Sequence, residues 1–172
     1  MVTLTILTII SVVAIPQYNV YKRNAKQTEA QANLSSVYLA QQMFYSANSQ
    51  YYRNLWAIGW EPAGDLNYRV FMTGTVVTAP PIGFASSPNL STEYNDTFFI
   101  CSSTFAGGLS DECKYDVDAF PSFAEVPNET TFTVSNTSFT VGAAAKLGGD
   151  ELVDVWTIND FKELINTHNG AL

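Results

Sequence analysis

Three groups of residues in this chain could do chemistry. Cys101 and Cys113 are the two cysteines, and both lie in one segment, CSSTFAGGLSDEC. In an oxidising compartment they would form a disulfide that closes a short loop; the alternative is two buried thiols. The spacing is wrong for a zinc ribbon, and the only histidine, His168, lies far along the chain. Asp150, Glu151 and Asp154 form an acidic cluster, GGDELVD. Calcium takes several oxygen ligands from such loops, but the spacing does not match an EF-hand, so a solvated acidic turn is the expectation and calcium the alternative. Lys22, Arg23 and Lys26 make a basic patch followed by Glu29. Such a patch serves as a solvated helix face, as a contact to a membrane surface, or as a partner for acidic groups on a neighbouring molecule. The chain holds no G-x-S-x-G, phosphate-binding loop, Rossmann glycine fingerprint or metal-ligand set. Neither an enzyme nor a cofactor is expected.

Composition narrows the classes further. The 172 residues suit one domain plus a projecting helix, and the domain is large enough to bury a core. Only 14% are charged, and the formal net charge is −8, so the chain repels phosphate backbones and nucleic-acid binding is not expected. Aromatics at 13% argue against disorder over most of the length.

The element that must position everything else is Met1 to about Tyr52. It opens with MVTLTILTIISVVAI, closed by Pro16, and carries no charge before Lys22. The stretch from Gln17 to Ala47 has no Gly or Pro and is rich in helix formers. Ala30, Leu34, Val37, Gln41 and Phe44 recur at alternating spacings of four and three, which marks one helical face, widened by Tyr38 and Tyr45. The expectation is one long helix with an apolar half and an amphipathic half, ending near Asn54. As a helix, Met1 to Ile15 spans roughly 22 Å against about 30 Å of hydrocarbon, too short to cross a bilayer. No basic region precedes it and no small-residue cleavage site follows, so it does not read as a cleaved signal peptide.

At this stretch the chain resembles the bacterial type IVa-like major pilins. The residues that carry the resemblance are Ala14-Ile15-Pro16-Gln17-Tyr18, the patch Lys22 to Lys26, Thr28-Glu29-Ala30 with Asn33-Leu34, and Phe44-Tyr45. AIGWEPAGDLNYRVFM and the closing DVWTINDFKELINTHNGAL are similar to later segments of some of these pilins. No such pattern covers about Thr73 to Thr140. The resemblance implies a type IV pilin fold: α+β, with a long N-terminal helix packed against a C-terminal antiparallel sheet. Residues 1–24 would be the filament-core or transmembrane half, and 25–172 the globular head. Met1, Leu4, Ile6, Leu7, Ile9, Ile10, Val13 and Ile15 would line the filament core. Pro16 would kink or locally melt the helix there. Ala30, Leu34, Val37 and Phe44 would form the packing face.

The resemblance further implies a major subunit of an extracellular pilus, a homo-oligomer serving attachment, motility or surface interaction. It would sit in the inner membrane and meet assembly machinery before polymerising. The alternatives are a pseudopilin of a type II secretion system and a minor tip pilin acting as an adhesin. In the family, a methylated Phe opens the mature chain and a Glu follows four residues later; neither is present. The expectation is that about six residues precede Met1, which would restore a membrane-spanning length.

Along the remainder, Trp56 and Trp60 are expected to cover the helix end. Strands are expected over Tyr68 to Thr78, Thr97 to Cys101, Tyr115 to Phe123, and as a pair within Thr130 to Ala145 joined at Ser135-Asn136. Val153 to Ile158 is expected to be the last strand, followed by a short tail.

Overall fold

The computed structural model describes residues 2–62, 64–72, 96–97, 113–115, 120–122, 125–127, 132–147 and 153–170, with the side chains of 2–17, 19 and 113–115 outside that description. The first element, α1, runs Val2–Asn48, 47 residues without interruption. Its backbone stays helical through Pro16, although a proline removes one helix hydrogen bond. The helix stops at Asn48, short of the expected Asn54, and the cause is local. Ser49 adopts φ 56° and donates its N–H to the Tyr45 carbonyl at 2.7 Å, a left-handed cap without a glycine. The chain then folds back on the helix through Gln41, which is fully buried. Its amide donates to the Tyr52 carbonyl at 2.6 Å and accepts from the Tyr52 N–H at 3.2 Å.

Six strands follow: β1 (Gly64–Leu66), β2 (Arg69–Phe71), β3 (Cys113–Tyr115), β4 (Thr140–Lys146), β5 (Val153–Asn159) and β6 (Leu164–His168). Four of them form an antiparallel sheet in the order β2-β4-β5-β6, while β1 and β3 pair in parallel as a separate ribbon. The layout is therefore an N-terminal helix laid on a four-stranded antiparallel sheet, a general α+β arrangement.

Period-two alternation explains how the sheet is buried on two sides. Val141, Ala143 and Ala145 of β4 join Ala30, Leu34, Val37 and Phe44 of the helix in one core cluster. Ala144 of the same strand joins Phe71, Val126, Phe132, Val153 and Val155 in a second cluster on the opposite face. A strand covered on both faces must be thin where its cover is bulky. At Gly142 a Cβ would meet the Phe132 ring at 3.1 Å. Small residues thus let the helix approach from one side and an aromatic from the other.

The strand expectations fare unevenly. The pair joined at Ser135-Asn136 is met in part: its second member is β4 from Thr140, while before the turn there is an isolated bridge, Val134 to Phe139, with Ser135 N–H donating to the Ser138 carbonyl at 2.8 Å; 130–131 lie outside the described residues. Of Tyr68 to Thr78, Arg69–Phe71 is strand and 73–78 lie outside the described residues. In place of a strand beginning at Thr97, Asp96 bridges Phe71 and the Thr97 hydroxyl accepts the Val70 N–H at 3.0 Å; 98–101 lie outside the description. Over Tyr115 to Phe123 only Tyr115 is strand among the described residues.

Val153 to Ile158 is a strand but not the last. The expected tail instead supplies β6, with His168 opposite Val155. The connecting turn is built by Asn159, whose side-chain oxygen accepts the N–H groups of Phe161 (3.1 Å) and Glu163 (2.9 Å), and by Lys162 at φ 63°.

Candidate functional site

The helix has two faces, and they do different work. Its inner face is locked to the sheet by apolar packing and by two carboxylates. Ala30, Leu34 and Val37 are fully buried, and Phe44 nearly so. Phe44 stacks on Tyr52, their ring centroids 5.8 Å apart, and Tyr51 meets Phe139 edge-on at 4.8 Å. Glu29 stands immediately before the first residue of this buried stripe, and among the described residues it forms no ion pair with its basic neighbours. Its carboxylate accepts the Asn67 N–H and side-chain amide, both at 2.7 Å, and the Tyr68 N–H at 3.2 Å.

Asp154 is the second carboxylate, and it corrects the sequence reading. It is fully buried rather than part of a solvated acidic turn. Its Oδ1 accepts from Gln27 (3.0 Å), Asn166 (3.1 Å) and the Gly170 N–H (3.1 Å). Its Oδ2 accepts from the Tyr68 hydroxyl and from the Trp156 indole N–H at 2.8 Å. Five donors, from the helix, β5, β6, the segment before β2 and the residues after β6, leave this carboxylate no free lone pair to offer calcium. Asp150 and Glu151 lie outside the described residues, and no group of three metal-ligating side chains occurs among those described. Burial pushes the Tyr68 phenol above its ordinary range, and its hydrogen bond to Asp154 pushes it the same way.

The other expected site residues are placed as follows. Cys101 lies outside the described residues, and of Cys113 only the backbone, in β3, is described. The residues from Leu4 to Ile15 and Pro16 are helical in backbone, with their side chains outside the description, and Met1 is wholly outside it. Trp60 is buried and donates its indole N–H to the Ser36 hydroxyl at 2.6 Å, whereas Trp56 is exposed. His168 is exposed on β6, an edge strand and not a loose end.

The outer face was not read from the sequence. Tyr18, Tyr21, Leu39 and Met43 are 69%, 70%, 59% and 72% exposed. At 100° per residue, Leu39, Met43 and Tyr21 sit about 160° around the helix from Gln41, with Tyr18 close beside them. These large apolar side chains therefore form a stripe directly opposite the buried one. The signal was available: Leu39 and Met43 are apolar yet fall off the spacing that Ala30, Leu34, Val37 and Phe44 define.

No residue described between Tyr18 and Glu29 is buried, so the inner stripe begins only at Ala30. The helix before that point, about 28 residues, is roughly 42 Å long. No helix among the described residues is long and apolar enough to cross a membrane. No known family model matches this chain, and no curated protein matches it either.

Proposed function

We propose that this chain is the structural subunit of an extracellular filament of the type IV pilin kind, polymerising through its N-terminal helix. One observation carries the reading. The helix runs from Val2, but among its described side chains burial begins only at Ala30, and its outer face displays Tyr18, Tyr21, Leu39 and Met43. Exposed apolar side chains in register along a helix call for a partner surface. A stripe that seats on a different surface of the next copy makes a head-to-tail contact. Head-to-tail contacts between identical subunits generate open helical polymers.

In this reading the apolar segment containing Leu4, Ile6, Leu7, Ile9, Ile10, Val13 and Ile15 packs among the same segments of neighbours. The chain waits at the inner membrane, where assembly machinery takes it up. The inner stripe has an intramolecular role instead, since Ala30, Leu34, Val37 and Phe44 hold the head together. The experiment shears fibres from cells carrying a double substitution on the outer face. Leu39→Glu with Met43→Glu is expected to remove fibres while the purified chain melts as the unsubstituted one does. Fibres at ordinary yield from that variant would sink the outer-face contact.

A further inference from the structure

We propose that Lys22, Arg23 and Lys26, together with Tyr18 and Tyr21, form a collar that seats the helix on an anionic phospholipid surface. The inference deepens the filament reading, because it rests on the chain meeting a bilayer before it polymerises. Its first ground is charge asymmetry. Residues 1–28 hold three of the 8 Lys and Arg and none of the 16 Asp and Glu, so they carry +3 and the remainder carries 5 − 16 = −11. An anionic surface therefore repels the head and attracts only the collar, which fixes the chain's orientation.

The second ground is that the nearby acids face inward. Glu29 is taken up by Asn67 and Tyr68, and Asp154 is buried under five donors. Among the described residues neither Lys22 nor Lys26 forms an ion pair, and Lys22 is exposed. The third is the pairing with Tyr18 and Tyr21, both exposed and one turn apart. Tyrosine rings with a polar end settle at headgroup depth.

Continuity decides for lipid over an acidic protein surface. The collar follows directly on an uncharged run that extends from Met1 to Tyr21. From Val2 to Tyr18 the helix is about 24 Å long, enough to carry it beyond a single leaflet of about 15 Å. Cations at the end of that run come to rest among lipid phosphates.

The test is flotation of the full chain with vesicles of phosphatidylcholine alone and of phosphatidylcholine with about 30% phosphatidylglycerol. Each cation near an anionic surface contributes about 5-fold in partitioning, so three give roughly 100-fold. The variant K22Q/R23Q/K26Q is expected to lose roughly that factor on the anionic vesicles and nothing on the neutral ones. Raising salt should bring the unsubstituted chain down to its neutral-vesicle level. K146Q/K162Q, which removes two cations from the head, should bind as before. Equal binding of the triple variant and the unsubstituted chain to anionic vesicles overturns the collar. So does an equal loss in K146Q/K162Q, which would make net charge the cause. A chain that forms fibres yet ignores lipid charge overturns the collar and leaves the filament reading standing. Charge-dependent binding without fibres supports the collar and counts against the filament.

Discussion

Replacing Asp154 separates the work of its two oxygens, and the size of the effect follows from its donors. In Asp154→Ala all five donors lose their acceptor at a fully buried position. Gln27, Asn166 and Trp156 are only partly buried and regain water, but the Tyr68 hydroxyl and the Gly170 N–H are buried. Each buried donor left unsatisfied costs about 1–3 kcal/mol, so for two the expected loss is about 2–6 kcal/mol. That is a large part of the roughly 5–15 kcal/mol typical of a domain.

Asp154→Asn keeps the shape and one acceptor. Its oxygen can still serve Gln27, Asn166 and Gly170, while its NH2 faces Tyr68 and Trp156. The Tyr68 hydroxyl can turn and accept; the Trp156 indole N–H cannot. Only the Trp156 N–H is then left without an acceptor, here because the Asn NH2 fills the space that water takes in the alanine variant, and the expected cost is about 1–2 kcal/mol. Urea unfolding of the full chain in detergent, followed by tryptophan fluorescence, reads both variants at once. Equal losses for Ala and Asn, or a loss below about 0.5 kcal/mol for Ala, would refute the reasoning from counted donors.

Further outcomes follow from other contacts. Leu34→Ala, at a fully buried site in the helix–sheet core, should lower stability by about 2–5 kcal/mol, while Leu39→Ala on the exposed face should change it by less than about 0.5 kcal/mol; the same urea titration compares them. Gly142→Val pushes carbon into the Phe132 ring and should destabilise by about 1–3 kcal/mol, with part of that recovered in Gly142→Val/Phe132→Leu, as a double-mutant cycle would show. Lys146, and after it Ser122, holds the Glu125 carboxyl down at about 2. A lowered folded value means that its stabilisation is present above the ordinary 4.5 and is lost as pH falls toward 2. NMR titration should show that low midpoint, and Lys146→Gln should move it up toward 4.5.

What could be read from the sequence was what repeats. The buried stripe of α1 shows because helical periodicity is local, and the turn at Ser135-Asn136 shows because turn residues separate two β-branched runs. The helix end did not show, because its left-handed cap is a serine, Ser49, where a glycine is the usual mark. Strand β6 did not show because LINTH is half polar; its pairing with β5 makes it a strand more than its own propensity does. Asp154 was least legible. Two of its donors, Gln27 and Tyr68, stand 127 and 86 residues away, so a cluster that looked like a solvated turn is a buried junction. Thr3, Thr5, Thr8 and Ser11 suggest close helix approach, and their side chains lie outside the described residues.

In a filament, the helix N-terminal to Ala30 would find its cover in copies of itself. Cryo-EM of fibres sheared from cells, at side-chain resolution, tests it most directly. This chain is expected to trace through the fibre, with Val2 to Pro16 in a shared core and Leu39 and Met43 against a neighbouring subunit. Fibres that lack this chain, with the protein retained in the membrane fraction, would contradict it.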